Sequence, residues 1–136
     1  MNNPITVEAF IHAPIEKIWS YWTEPEHITK WTFASDDWHA PRATNDLRIG
    51  GMFSTRMEAV DGSQGFDMGG TYTEVEKYKR IAYEFGGRKA VIDFIPQDGG
   101  YRVVETFEAE SENPIEMQKA GWQAIMDNFK KYVLSV

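Results

Sequence analysis

Glu105 is the residue best placed to do chemistry, because it stands on a strand face otherwise made of Tyr101, Val103, Phe107 and Ala109. Alternation at period two turns that face toward the core. A carboxylate there must be paired or change its pKa, since burying an unpaired charge is costly. The preferred reading pairs it with an arginine such as Arg56 or Arg88. Unpaired, it would be an orienting acceptor or general base at the floor of a cavity. Glu74 raises the same question, because a bulge at Gly69-Gly70 would change the face it occupies.

Other chemistries find little support. His12, His27 and His39 are the only imidazoles, and none falls at a metal-ligand spacing such as i, i+4 on a helix. His27 reads as a surface or helix-capping residue, and His39, beside Trp38, as a loop residue near a cavity mouth. There is no cysteine, which removes thiolate ligands, cysteine nucleophiles and disulfides. No serine lies in a nucleophile elbow, and no glycine loop has the form that cradles phosphate. Neither a metal nor a cofactor is expected.

Large apolar side chains are more telling. Phe53, Thr55 and Met57 alternate on one strand face, as do Tyr83 and Phe85 on another. Phe66, Met68 and Tyr72 flank the Gly69-Gly70 pair, and Trp31, Trp122 and Met126 add further rings and a thioether. Such residues wall pockets for planar or greasy ligands, and they also fill ordinary cores. Periodicity alone leaves both readings open.

These residues need elements to hold them. Ile5, Val7, Ala9 and Ile11 alternate as a half-buried strand, and Pro14 opens a short helix with Ile15, Ile18, Trp19 and Trp22 on one face. Thr23-Glu24-Pro25-Glu26 has the form of a capping box for a second short helix running through Trp31. The segment from Thr32 to Asn45, with Pro41 and no period, reads as a long loop. Glycine pairs then punctuate a meander with strands near 46–49, 52–60, 65–77, 80–86, 89–96 and 100–110. Asn113-Pro114-Ile115-Glu116 repeats the capping logic before a final helix through Leu134, whose stripe is Ile115, Trp122, Ile125, Met126, Phe129 and Val133. The class is α+β: a curved antiparallel sheet of about six or seven strands around a long C-terminal helix, with two short helices after the first strand.

Residues 1–136 make one domain on this reading, a usual size for a single core. A formal net charge of −7 repels phosphate backbones, and Lys77-Tyr78-Lys79-Arg80 is too short a basic run to overcome it. No nucleic-acid partner and no membrane insertion are expected, and the polar N-terminus makes the cytoplasm the default location.

Four stretches occur in order that resemble one family. They are Ala13-Pro14-Ile15-Glu16-Lys17-Ile18-Trp19 with Thr23-Glu24-Pro25-Glu26-His27 and Trp31; Asp46-Leu47-Arg48-Ile49-Gly50-Gly51-Met52-Phe53; Gly70-Thr71-Tyr72-Thr73-Glu74-Val75; and Gly121-Trp122-Gln123-Ala124-Ile125-Met126-Asp127-Asn128-Phe129. From about residue 5 to residue 134 the chain is similar to the branch of the START-like (SRPBCC) superfamily named after the activator of the heat-shock-protein-ninety ATPase. The resemblance implies a helix-grip fold with a deep cavity between sheet and final helix. It also implies a hydrophobic or aromatic ligand such as a lipid, polyketide or flavonoid-like compound. Trp31, Phe53, Met57, Phe66, Met68, Tyr72, Tyr83, Phe85, Glu105, Phe107, Trp122 and Met126 are the cavity candidates. A cyclase or hydrolase using Glu105 or His39 is the second reading, and a co-chaperone module the third. The last ranks lower because the chain is a lone domain, without the extra N-terminal domain of the eukaryotic co-chaperones. Contact with a chaperone and formation of a homodimer stay open.

Overall fold

The computed structural model describes residues 1–135. In chain order it contains β1 (Pro4–Ile11), α1 (Ile15–Thr23), α2 (Pro25–Ile28), β2 (Trp38–Asn45), β3 (Met52–Ala59), β4 (Gly65–Glu76), β5 (Arg80–Phe85), β6 (Arg88–Gln97), β7 (Gly100–Glu108) and α3 (Ile115–Ser135). The strands form one seven-stranded sheet in the order β1-β7-β6-β5-β4-β3-β2, antiparallel throughout. Six strands are a meander of hairpins, and β1 closes the far edge by pairing with the last of them. The sheet curls as a half-barrel around α3, the α+β helix-grip arrangement.

β1 shows how pattern becomes packing. Ile5, Val7, Ala9 and Ile11 are buried and face the core, while Val7 lies opposite Glu105 and Ile5 opposite Phe107 in the β1/β7 ladder. In α1, Ile18 and Trp19 are the buried pair, and Trp19 meets Phe94 edge-on at 5.3 Å. That helix stops at Glu24, ahead of Pro25, which occupies the first turn of α2. The capping box expected there does not form: the Thr23 hydroxyl is buried and donates back to the Trp19 carbonyl at 2.8 Å.

Two other local expectations fail for physical reasons. Residues 46–49 are a tight turn rather than a strand, because Gly50 has φ +84° and a Cβ on Gly51 would stand 2.1 Å from the Asp46 carbonyl oxygen. Trp38–Asn45, read as loop, is the edge strand β2, with an irregularity between His39 and Arg42 that spans Pro41. Proline is tolerated at an edge, where its missing N–H breaks no ladder bond. Only Ala40 of β2 is buried, so the strand carries too weak a hydrophobic alternation to announce itself.

α3 covers the concave face. Met126, Phe129 and Val133 are buried along its middle and end, whereas Ile115 is 49% exposed at its start and does not join the stripe. Gln118 closes the N-terminal end. Its side-chain oxygen accepts from the Glu110 N–H at 2.9 Å, and its amide donates to the carbonyls of Glu110 and Asn113 at 3.0 and 2.8 Å. These bonds tie the helix to the chain leaving β7. Among the described residues no helix is long and apolar enough to cross a membrane.

Candidate functional site

A cavity of about 300 Å³ lies between the sheet and α3. Phe53, Thr55 and Met57 reach it from β3, Phe66, Met68 and Tyr72 from β4, and Ile81, Tyr83 and Phe85 from β5. Each trio follows the period of two, apart from the Gly70 position, where a Cβ would crowd the Phe53 ring at 3.1 Å. Trp22 from α1, Ile28 from α2, and Trp31 and Thr32 from the turn after it form a second wall, since α2 ends at Ile28 and does not run through Trp31 as expected; Trp122 and Ile125 form the wall contributed by α3. Arg88 and Glu105 supply the ionisable groups other than the tyrosines.

The aromatic rings brace one another. Phe53 packs against Tyr83 at 4.8 Å and Tyr72 at 5.2 Å, and Tyr83 continues to Phe85 at 5.5 Å. Trp122 touches Phe85 at 5.7 Å and stacks on Phe107 at 3.6 Å. Phe107 therefore lies behind Trp122, fully buried, and does not line the cavity. Met126 is also buried in the packed core rather than on the cavity wall. The other ten candidates do line it. Trp22, Ile28, Thr32, Thr55, Ile81, Arg88 and Ile125 complete the wall. Ile81 was legible by its spacing from Tyr83, and Ile125 by its spacing from Trp122. Nothing in the sequence marked Ile28 or Thr32.

Glu105 contradicts the pairing expected of it. Arg56 instead bonds Glu58 at 2.9 Å and faces Asp67 at 3.7 Å. Arg88 donates to the Glu108 carbonyl at 3.1 Å and lies 4.3 Å over the Phe85 ring. Glu105, 7% exposed, has no ion-pair or hydrogen-bond partner among the described residues and opens toward the cavity. Burial alone pushes its carboxyl up to about 8. At neutral pH it is an uncharged acid, able to donate one hydrogen bond and accept others.

Tyr83 and Tyr72 are held neutral as well. Burial raises the Tyr83 hydroxyl well above its ordinary value; nearby Glu105 and Tyr72 push the same way, and Arg88 opposes them. Burial likewise raises Tyr72, whose hydroxyl donates to the Asn45 side-chain oxygen. The Asn45 amide in turn donates to the Thr23 carbonyl at 2.6 Å, so this relay joins β4, the end of β2 and the end of α1. Tyr72→Phe should cost about 1–2 kcal/mol by leaving the Asn45 oxygen without its donor. Urea unfolding of the two proteins gives the difference, and coincident curves would show that the relay holds nothing.

The remaining sequence candidates fall outside the cavity. Glu74 bonds Arg80 at 3.1 Å on the outer side, because the irregularity lies between Tyr72 and Glu74, not at Gly69-Gly70, and returns Val75 opposite Ile81. His39 is an exposed residue of β2 with Glu58 at 3.8 Å. His27 stacks on Tyr21 at 4.0 Å, and its Nδ1 shares a 2.7 Å hydrogen bond with the Tyr132 hydroxyl. Glu24 and Glu26 approach His27 within ligand distance of one another, but both glutamates are exposed on the α2 turn. Among the described residues no side chain is hydrogen-bonded to Glu105 to orient it, as the partner of a catalytic base would.

The fold is the START-like (SRPBCC) helix-grip, with a cavity between its sheet and α3. Residues 12–134 match the family described as Activator of Hsp90 ATPase homolog 1-like protein, and the chain belongs to that family. Members of this superfamily commonly bind hydrophobic ligands. The solution structure of an AHSA1-like protein from Aeromonas hydrophila is 44% identical, with a TM-score of 0.92 over 97% of this chain and 92% of that one. A solution structure from Cytophaga hutchinsonii is 50% identical, with a TM-score of 0.84 over 96% and 92% of the two chains. A Chromobacterium violaceum protein of known crystal structure shares the fold at 24% identity, with a TM-score of 0.83 over 95% and 96%. Comparison with curated proteins gives no match.

Proposed function

We propose that this protein binds a small hydrophobic or aromatic molecule, such as a single-chain lipid, a polyketide or a flavonoid-like compound, between its sheet and α3. The observation that carries the reading is an aromatic-walled cavity with an unpaired carboxyl group opening into it. Apolar walls supply desolvation, and a few convergent polar groups fix orientation. Here those groups are Glu105, Tyr83 and Tyr72, all uncharged at neutral pH, beside the charged guanidinium of Arg88. A volume of about 300 Å³ lies at the small end of ligand pockets. It fits one chain or a few fused rings better than a two-tailed phospholipid.

Nile red, an uncharged dye that brightens in apolar surroundings, provides the test. Its fluorescence should rise and saturate at one dye per chain, and native mass spectrometry should show a matching one-to-one adduct. Folded protein that neither brightens the dye nor carries an adduct would remove the cavity reading.

A further inference from the structure

We infer that Arg88 is an anion subsite, and that the preferred ligand is an amphiphile with one carboxylate on an apolar body of a single chain or two rings. The inference rests on the cavity reading above and adds the charge of the ligand.

Arg88 differs from the other cavity-lining residues and from most other arginines of the chain. Arg48, Arg56, Arg80 and Arg102 each hold a carboxylate oxygen at 2.9 to 3.6 Å. Arg88 has no carboxylate partner among the described residues, although it is partly buried at the cavity. One of its five N–H donors is spent on the Glu108 carbonyl. Its guanidinium plane is held over the Phe85 ring, which fixes its orientation without satisfying the other donors. A planar, pre-positioned fork of this kind is the group that receives a carboxylate through two parallel hydrogen bonds.

The surroundings supply the rest of the ligand's description. Phe85 beneath Arg88 continues through Tyr83 to Phe53 as a chain of ring contacts, so an apolar body can leave the charged head and stay on aromatic surface. Glu105 is the carboxyl group among the residues that line the cavity. Its uncharged state at neutral pH leaves the cavity with one local positive charge inside a chain of net charge −7. An anionic head is then attracted locally, whereas a cationic amphiphile meets Arg88 without an ionised partner to offset it.

Naphthalene carboxylate and naphthalene carboxamide have nearly the same shape and differ in charge, and tryptophan fluorescence reports both, because Trp22, Trp31 and Trp122 line the cavity. The carboxylate should bind about ten- to a hundredfold more tightly at neutral pH, the usual worth of hydrogen bonds to a charged group. Arg88→Gln should bring carboxylate affinity down to that of the carboxamide, and Arg88→Lys should leave it between the two. Arg48→Gln, which removes an exposed arginine outside the cavity, should change neither affinity. Equal affinities in the unmodified protein would overturn the anion subsite while leaving the cavity reading intact. Binding of neither compound would overturn both. Should Arg88→Gln fail to fold, the comparison of the two compounds in the unmodified protein and in Arg88→Lys decides alone.

Discussion

Glu105→Gln is expected to raise the melting temperature by about 10 °C in mildly alkaline buffer and to leave it nearly unchanged below pH 4.5. Unfolded, the carboxyl ionises near its ordinary 4.5; folded, burial holds the proton until about pH 8. Between those values unfolding releases a proton, so rising pH favours the unfolded chain. Stability tied to Glu105 is therefore complete below about 4.5, declines as pH rises, and has been lost once pH passes about 8. The full window is worth on the order of 5 kcal/mol, because each pKa unit carries about 1.4 kcal/mol. Glutamine has nearly the same shape and cannot ionise, so it escapes the loss. Glu58, Glu108 and Asp61 have lowered pKa values through hydrogen bonds and are present in both proteins, so the difference between the two melting curves isolates Glu105. Circular dichroism melts from acid to alkaline pH give the comparison. Parallel curves at every pH would mean that the carboxyl is solvated or paired in solution.

That result bears on what the cavity is for. A buried carboxylic acid that weakens the fold as pH rises is the kind of group more often found at a binding site than in a packed core, which is what the proposed ligand site asks of Glu105. The use suggested by its surroundings is directional. Glu105 and Tyr83 present hydrogen-bonding groups at a wall made mostly of rings, thioethers and isoleucines, and apolar surface alone gives a ligand little reason to take one orientation. Arg88 then fixes the charged end, and the uncharged acid avoids repelling it. Above about pH 8 the same carboxyl ionises and the two effects reverse together: the fold weakens and an anionic ligand is repelled.

The sequence made the hydrophobic architecture legible wherever one face of an element is buried and the other wet. Ile5, Val7, Ala9 and Ile11, and likewise Tyr83 and Phe85, took their faces from alternation alone, and the order of strands, short helices and long final helix followed. β2 escaped because an edge strand with one buried residue has no alternation to read. Residues 46–49 misled because a run with Leu47 and Ile49 looks extended until the closeness of Gly51 to Asp46 is known. The cavity was legible as a set of rings but not as a shape. Phe107 shares its strand face with Glu105, and only the placement of Trp122 on α3 decides that Phe107 is covered while Glu105 is open. Arg88 entered as a partner for Glu105 because complementary charge is all that sequence can offer. Its actual contacts, a carbonyl and a ring face, depend on how β6 meets the end of β7.

The most damaging single truncation should be Phe129→Ala. Phe129 is fully buried on α3 and meets two of the cavity tryptophans edge-on, Trp31 at 4.7 Å and Trp22 at 4.9 Å. Those two rings are themselves 4.9 Å apart, so Phe129 is the wedge that seats the short-helix wall against the long helix. Its removal forfeits the transfer energy of the ring and leaves a void that three surrounding elements cannot all close. Substitutions of this kind cost about 3–5 kcal/mol, a third or more of what holds an ordinary domain together. The urea midpoint should fall steeply with an unchanged slope, and the melting temperature should drop by roughly 10–20 °C. Met117→Ala on the same helix, where the side chain is 62% exposed, should change stability by less than about 0.5 kcal/mol. The two variants separate helix propensity from packing, since alanine improves the former in both. If Phe129→Ala unfolds no more easily than Met117→Ala, the short helices are not wedged against α3, and the cavity lacks the rigid wall on which its selectivity depends.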